Sequence, residues 1–366
     1  MTAAGDAPRL PSAADEPDKR PLTVGRVVDW DFAANTGAWL ARPGPPSTEY
    51  TQRQIVDELA DASRRAELPV RDVTGLEPPD TRTVPDASIV DRQQWIRAAA
   101  ESMRVMTGGD NGKPAGFLRG RITGAQTGAV LAFISSGILG QYDPFAAGGG
   151  KLLLVYPNVI SVERQLRVLP SDFRLWVCLH EVTHRVQFTA SPWLTDYMSK
   201  ALAVLTRDAG EDIRQVVSRL ADFVRERRDG KALEPNSGGV LGLLRAMQSE
   251  SQRKALDQLL MLGTLLEGHA DHVMDAVGPA VVPSVTTIRR RFDERRRRKQ
   301  PPLQRLIRAL LGFDAKLSQY TRGKAFVDQV VSRVGMDRFN TVWSGPEALP
   351  LPNEIEEPTR WIDRVL

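Results

Sequence analysis

His180-Glu181-Val182-Thr183-His184 places two imidazoles four residues apart with a carboxylate between them. On a helix, residues i and i+4 share a face, so both rings can reach one cation while Glu181 stands beside its open position. The segment Glu267-Gly268-His269-Ala270-Asp271-His272 holds the other two of the chain's four histidines. No other part of the chain supplies imidazole, and the chemistry this combination could perform is hydrolysis at a metal ion. A pair of core histidines with a surface glutamate would account for the first motif but not for the second.

A catalytic zinc site takes three protein ligands and keeps a fourth position free. The extended pattern H-E-x-x-H-x-x-G-x-x-H would need Gly and His at positions 187 and 190, where this chain has Gln187 and Ala190. The third ligand is therefore expected from the second cluster. Glu267 and Asp271 share one helical face there, whereas His269 lies about 200° round from Glu267, so Glu267 and His269 cannot both face one metal. Either could serve. A dinuclear carboxylate site is a further possibility, because Glu181-x-x-His184 is also a Glu-x-x-His pair. It lacks its second pair, since Glu267 and His269 are two residues apart rather than three.

The elements that must carry these residues are mostly helical. Pro170-Ser171-Asp172 is a helix-start signal, with Ser171 or Asp172 available as cap, and leads into a helix over 173–188. A second helix over 249–277 carries the other cluster and stops at Gly278-Pro279. Apolar spacing predicts further helices over 51–66, 89–106, 124–139, 192–205, 212–227, 302–311, 314–334 and 358–365. The run 151–156, bounded by glycines and Pro157, is the best candidate strand. Its edge could pair with an extended peptide beside the active-site helix.

At 366 residues the chain can bury a substantial core. One cysteine, Cys178, excludes an internal disulfide and fits a packed thiol in a reducing cytoplasm. Residues 1–22 carry acidic side chains and prolines with no apolar segment, and are expected to be a disordered tail rather than an export signal. The most apolar window, 124–140, is too short and too polar for a membrane span. The formal charge is +4, and the stretch 289–299, from Arg289 to Lys299, holds eight basic and two acidic side chains, leaving the rest close to neutral. That stretch could attract an acidic partner, nucleic acid being the less favoured one, although charge runs are usually solvated helix ends. Oligomeric state is not legible.

Three blocks together resemble the type 2 zincin-like metallopeptidases of actinobacteria: residues 179–188 around the histidine pair, 267–271, and 316–327 with Tyr320, Arg322 and Gly323. Some members of that family are named as associated with biosynthesis of a deazaflavin coenzyme. The resemblance implies a mainly α zincin-like fold with a small β-sheet, an active-site helix and a gluzincin-type glutamate helix. The resemblance runs from about Val28 to the C-terminus, and the expected organisation is a 1–22 tail, an N-terminal subdomain over 23–188 and a helical C-terminal subdomain over 189–366. In gluzincins the glutamate of such a helix is the third zinc ligand and the aspartate hydrogen-bonds a ligating histidine. That implies Zn²⁺ on His180, His184 and Glu267, with Asp271 orienting His180 or His184 and His269 as the competing third ligand. Glu181 would be the general base for amide hydrolysis of a peptide or protein substrate. Tyr320, ahead of Arg322 and His272, is the expected oxyanion donor. The alternative is a catalytically silent zincin-fold binding protein that uses its basic stretch for an acidic partner.

Overall fold

The computed structural model describes residues 24–78, 85–109, 117–206, 250–297 and 313–366. The tail expected over 1–22, the helices expected over 212–227 and 302–311, and Lys299 lie outside these residues. Eleven helices carry most of the described chain: α1 Val24–Val27, α2 Trp30–Leu40, α3 Glu49–Thr74, α4 Arg92–Met106, α5 Phe117–Ser135, α6 Tyr156–Leu166, α7 Pro170–Ala190, α8 Trp193–Thr206, α9 Glu250–Val281, α10 Val285–Arg297 and α11 Phe313–Val334. Three short ones follow, α12 Met336–Phe339, α13 Pro352–Glu356 and α14 Pro358–Val365. The sheet has three strands, β1 Ser88–Val90, β2 Gly140–Asp143 and β3 Lys151–Val155. The fold is thus mainly helical with a small sheet, as the sequence predicts.

Several boundaries differ from the expected ones for local reasons. Helix α3 extends well past 66 because its apolar stripe continues through Ile55, Leu59, Ala62, Ala66 and Val70, until Gly75 turns left-handed at φ 62°. Ile89 belongs to β1 rather than to a helix. Helix α4 starts only after Asp91, whose carboxylate accepts the Gln94 amide at 2.7 Å while its own amide donates to Gln94 Oε1. Helix α5 ends at Ser135, where buried Asn158 donates to the Ser135 and Ile138 carbonyls. On α7 neither Ser171 nor Asp172 is the cap. Leu169 precedes Pro170 at the first helical position, and Asp172 instead accepts the amide and hydroxyl of Ser284 ahead of α10. On α9, Gly278 leaves the helical conformation at φ 67°, so the long helix breaks at Gly278-Pro279 as expected and a short second helix continues to Val281 across the kink.

Strand β3 lies at the centre of the sheet, parallel to β1 and antiparallel to β2. Both of its edges are paired, so the expected peptide-binding edge is not available on it. The edge strand next to α7 is β2.

Helix α7 is buried nearly all round, its polar side chains included, and sits inside the molecule. Phe173, Val177, Cys178, Leu179, Val182 and Val186 are buried against α3, α9 and the sheet. Cys178 is sealed against the Leu59 carbonyl. Two arginines clamp the helix: Arg174 pairs with Glu163 at 2.9 Å and with Glu58, and Arg185 pairs with Glu67. Both guanidinium groups are largely buried, so removing their carboxylate partners would leave a poorly compensated charge.

Candidate metal centre

The middle of α7 carries His180, Glu181 and His184, and α9 crosses it with Glu267. His180 Nε2 and His184 Nε2 stand 3.2 Å apart. Glu267 Oε2 is 3.4 Å from the first and Glu267 Oε1 3.7 Å from the second. Ligands about 2.0–2.1 Å from a tetrahedral zinc ion are separated from one another by roughly 3.3 Å, so the triangle has the dimensions of such a site. Among the described residues this is the group whose ligand atoms could hold a metal. His180 and Glu267 remain partly open, at 24% and 31% side-chain exposure, so a substrate could reach the fourth position.

The electrostatics favour a cation. Burial opposes charge on His180, yet the hydrogen bond and charge of Glu267, with Glu181 and Asp271 beyond, lift it to about 9. Burial holds His184 below the ordinary imidazole value. Glu181 is buried, and that burial raises its carboxyl to about 7, His180 opposing and Glu267 adding to the effect.

Two glycine contacts place the carboxylates. A Cβ on Gly140 of β2 would lie 2.6 Å from Glu181 Cγ and 2.9 Å from Oε1, so the bare backbone lets the strand run directly against this side chain. A Cβ on Gly268 would lie 2.2 Å from Gly323 C, and one on Gly323 would lie 2.1 Å from Thr264 O. Helices α9 and α11 therefore meet backbone to backbone beside Glu267. This contact gives the 316–327 block a structural reason.

The remaining residues singled out from the sequence fall in different places. His269 is fully buried between Phe339 and Trp343, with ring centroids 5.5 and 5.2 Å away, and Gln187 Nε2 lies 2.9 Å from its Nδ1. It points away from the triangle, as its helical phase requires. Burial, with His272 and His184 nearby, lowers it to about 3. Asp271 hydrogen-bonds Arg289 Nη1 at 3.2 Å rather than His180 or His184, and acts on both by charge alone. His272 Nδ1 is bound to Asp328 at 2.7 Å, and Arg322 is exposed and pairs with Glu356. Tyr320 lies on α11, where the side chains of 313–321 fall outside the described residues.

What holds His184 is Gln187, whose Oε1 is 2.9 Å from His184 Nδ1. Sequence reasoning used Gln187 only to exclude the extended ligand pattern. The available signal was an amide between Val186 and Phe188, three residues after His184 and so on its face of the helix.

Within the described part of the basic stretch, three arginines are engaged with their own chain. Arg289 pairs with Asp271 and Asp275 and lies over the Trp176 ring. Arg291 donates to the Leu166 and Arg167 carbonyls, and Arg295 to Gln165. Among the described residues no helix is long and apolar enough to cross a membrane.

A buried helix bearing two histidines and a glutamate, closed by a carboxylate from a second helix, defines a zincin-type centre. The chain belongs to the zincin-like metallopeptidase family, whose profile matches residues 28–362. It is also similar to a solved structure from Chloroflexus aurantiacus described as a presumed hydrolase with a novel fold. The identity is 28%, the TM-score 0.62, and the match covers 92% of this chain and 98% of that one. No curated protein matches.

Proposed function

We propose that the protein is a zinc-dependent metallopeptidase of the gluzincin type, hydrolysing an amide bond in a peptide or protein. The observation that carries this reading is the His180–His184–Glu267 triangle with the buried Glu181 carboxylate between its two histidines. His180, His184 and Glu267 would hold the metal. A zinc ion there supplies Lewis acidity, which acidifies water and polarises a carbonyl. Glu181 takes the proton from the attacking water on its carboxylate and delivers it to the leaving amine. Edge strand β2, touching Glu181 at Gly140, would receive an extended peptide by main-chain hydrogen bonds, and Tyr320 is the proposed oxyanion donor.

Metal analysis combined with a peptide-library cleavage assay tests the proposal. Wild type should carry one zinc per chain and cleave. Glu181→Gln should keep the zinc and lose cleavage, because an amide cannot accept the proton. A Glu181→Gln protein as active as wild type, or a chain that cannot be loaded with zinc, would refute it.

A further inference from the structure

We infer that Gln187, anchored on α9 through Leu266 and His269, is a positioning residue that fixes the tautomer and ring orientation of His184. Its importance for metal binding rests on the function proposed above, but the hydrogen-bond logic does not.

Gln187 follows His184 by three residues, so the two side chains are neighbours on one face of α7. It is fully buried, with no exposed surface. A carboxamide has two N–H donors and one oxygen acceptor, and its two ends are assigned from the groups they meet. Here the surroundings leave one assignment. Gln187 Nε2 lies 3.0 Å from the Leu266 carbonyl, which can only accept, so the amino end faces α9. The oxygen must then face His184 Nδ1 at 2.9 Å, and that nitrogen must carry the ring hydrogen. His184 Nε2 is left with a free lone pair directed at His180 Nε2 and Glu267, which is the state a metal ligand needs.

The second amide hydrogen of Gln187 goes to His269 Nδ1 at 2.9 Å. His269 Nδ1 must therefore be the acceptor, which puts its hydrogen on Nε2. Among the described residues that buried atom has no hydrogen-bond partner. The His269 ring itself stacks on Phe339. Both amide hydrogens of Gln187 and its oxygen are thereby engaged, and a flipped amide would face the Leu266 carbonyl with its oxygen. Leu266 immediately precedes Glu267, so the same side chain ties the backbone of one proposed ligand to the ring of another.

With only four histidines in the chain, each tautomer can be read by long-range ¹⁵N–¹H correlation NMR on metal-free, histidine-labelled protein. His184 should carry its hydrogen on Nδ1 and His269 on Nε2. In Gln187→Met, which keeps length and loses the polar end, His184 should lose its single tautomer. Zinc affinity, measured by competition with a chelator, should fall by about 10 to 100-fold. Wild-type His184 protonated on Nε2, or a Gln187→Met protein with unchanged tautomer and unchanged zinc affinity, would overturn the inference. If Gln187→Met does not fold, the wild-type tautomers alone decide. Wild type showing these tautomers but no zinc affinity would sink the metallopeptidase reading and leave this one standing.

Discussion

Gly268→Ala is the most direct probe of how α9 presents Glu267. The new methyl would lie 2.2 Å from Gly323 C and 2.6 Å from both Gly323 O and Lys324 N, where ordinary contact begins near 3.4 Å. The shortfall, 3.4 less 2.2, is 1.2 Å, and the obstacle is backbone that cannot rotate aside. Forcing extra volume into a packed contact costs about 1–3 kcal/mol, against a helix-propensity gain of up to about 1 kcal/mol. A backbone clash belongs at the upper end, so the net loss should be about 2 kcal/mol. Glu267 is the next residue and would move with the helix, while metal–ligand distances tolerate about 0.2 Å. Zinc affinity should therefore fall by more than about 100-fold, beyond the usual effect of losing an outer partner. Gly263→Ala is the internal control: it lies on the same helix with no atom within 4 Å of the added methyl, and should gain about 1 kcal/mol. Urea denaturation of the metal-free proteins and zinc titration read both effects. If Gly268→Ala matched Gly263→Ala in stability and in zinc affinity, the close crossing of α9 and α11 would be refuted.

Gly140→Ala should drive a methyl into Glu181 and lower kcat by about 100-fold, the scale set by a misplacement of about 1 Å, while zinc affinity holds; parallel loss of zinc would contradict this. Because His180 sits at about 9 without metal, zinc must displace a proton below that pH. Apparent affinity should then rise about tenfold per pH unit from 7 to 9 and level off above, and a flat profile in chelator competition would count against the assignment. Glu267→Ala should abolish tight zinc binding, whereas Asp271→Ala, which removes only a distant charge and the Arg289 pair, should weaken it far less; the reverse order in zinc titration would reassign the third ligand.

Both motifs were readable because helical phase is local. The four-residue spacing of His180 and His184, and the opposite phases of Glu267 and His269, follow from the helix period alone. Helix ends were less legible: Asp91 and Thr48 set the starts of α4 and α3 through side-chain hydrogen bonds that a periodic apolar pattern does not register. The place of β3 in the sheet depends on which strands pair across long separations, and residues 151–155 look alike at a centre or an edge. Asp271 was expected on a histidine, but the packing of α10 against α9 brings Arg289 to it first. Gln187 was opaque for the same reason, since its partners Leu266 and His269 lie on another helix.

Cys178 stands two residues before His180 yet is closed off from solvent, and burial pushes its thiol far above the ordinary range. The chain therefore has no thiolate to compete with nitrogen and oxygen for a soft metal, to be oxidised, or to be alkylated. Inhibition by a thiol-directed reagent would have to arise from something other than this residue. The same seclusion makes the protein a clean background for spectroscopic labelling: a cysteine introduced on the rim of the centre would be the single reactive thiol, with no native residue to remove first.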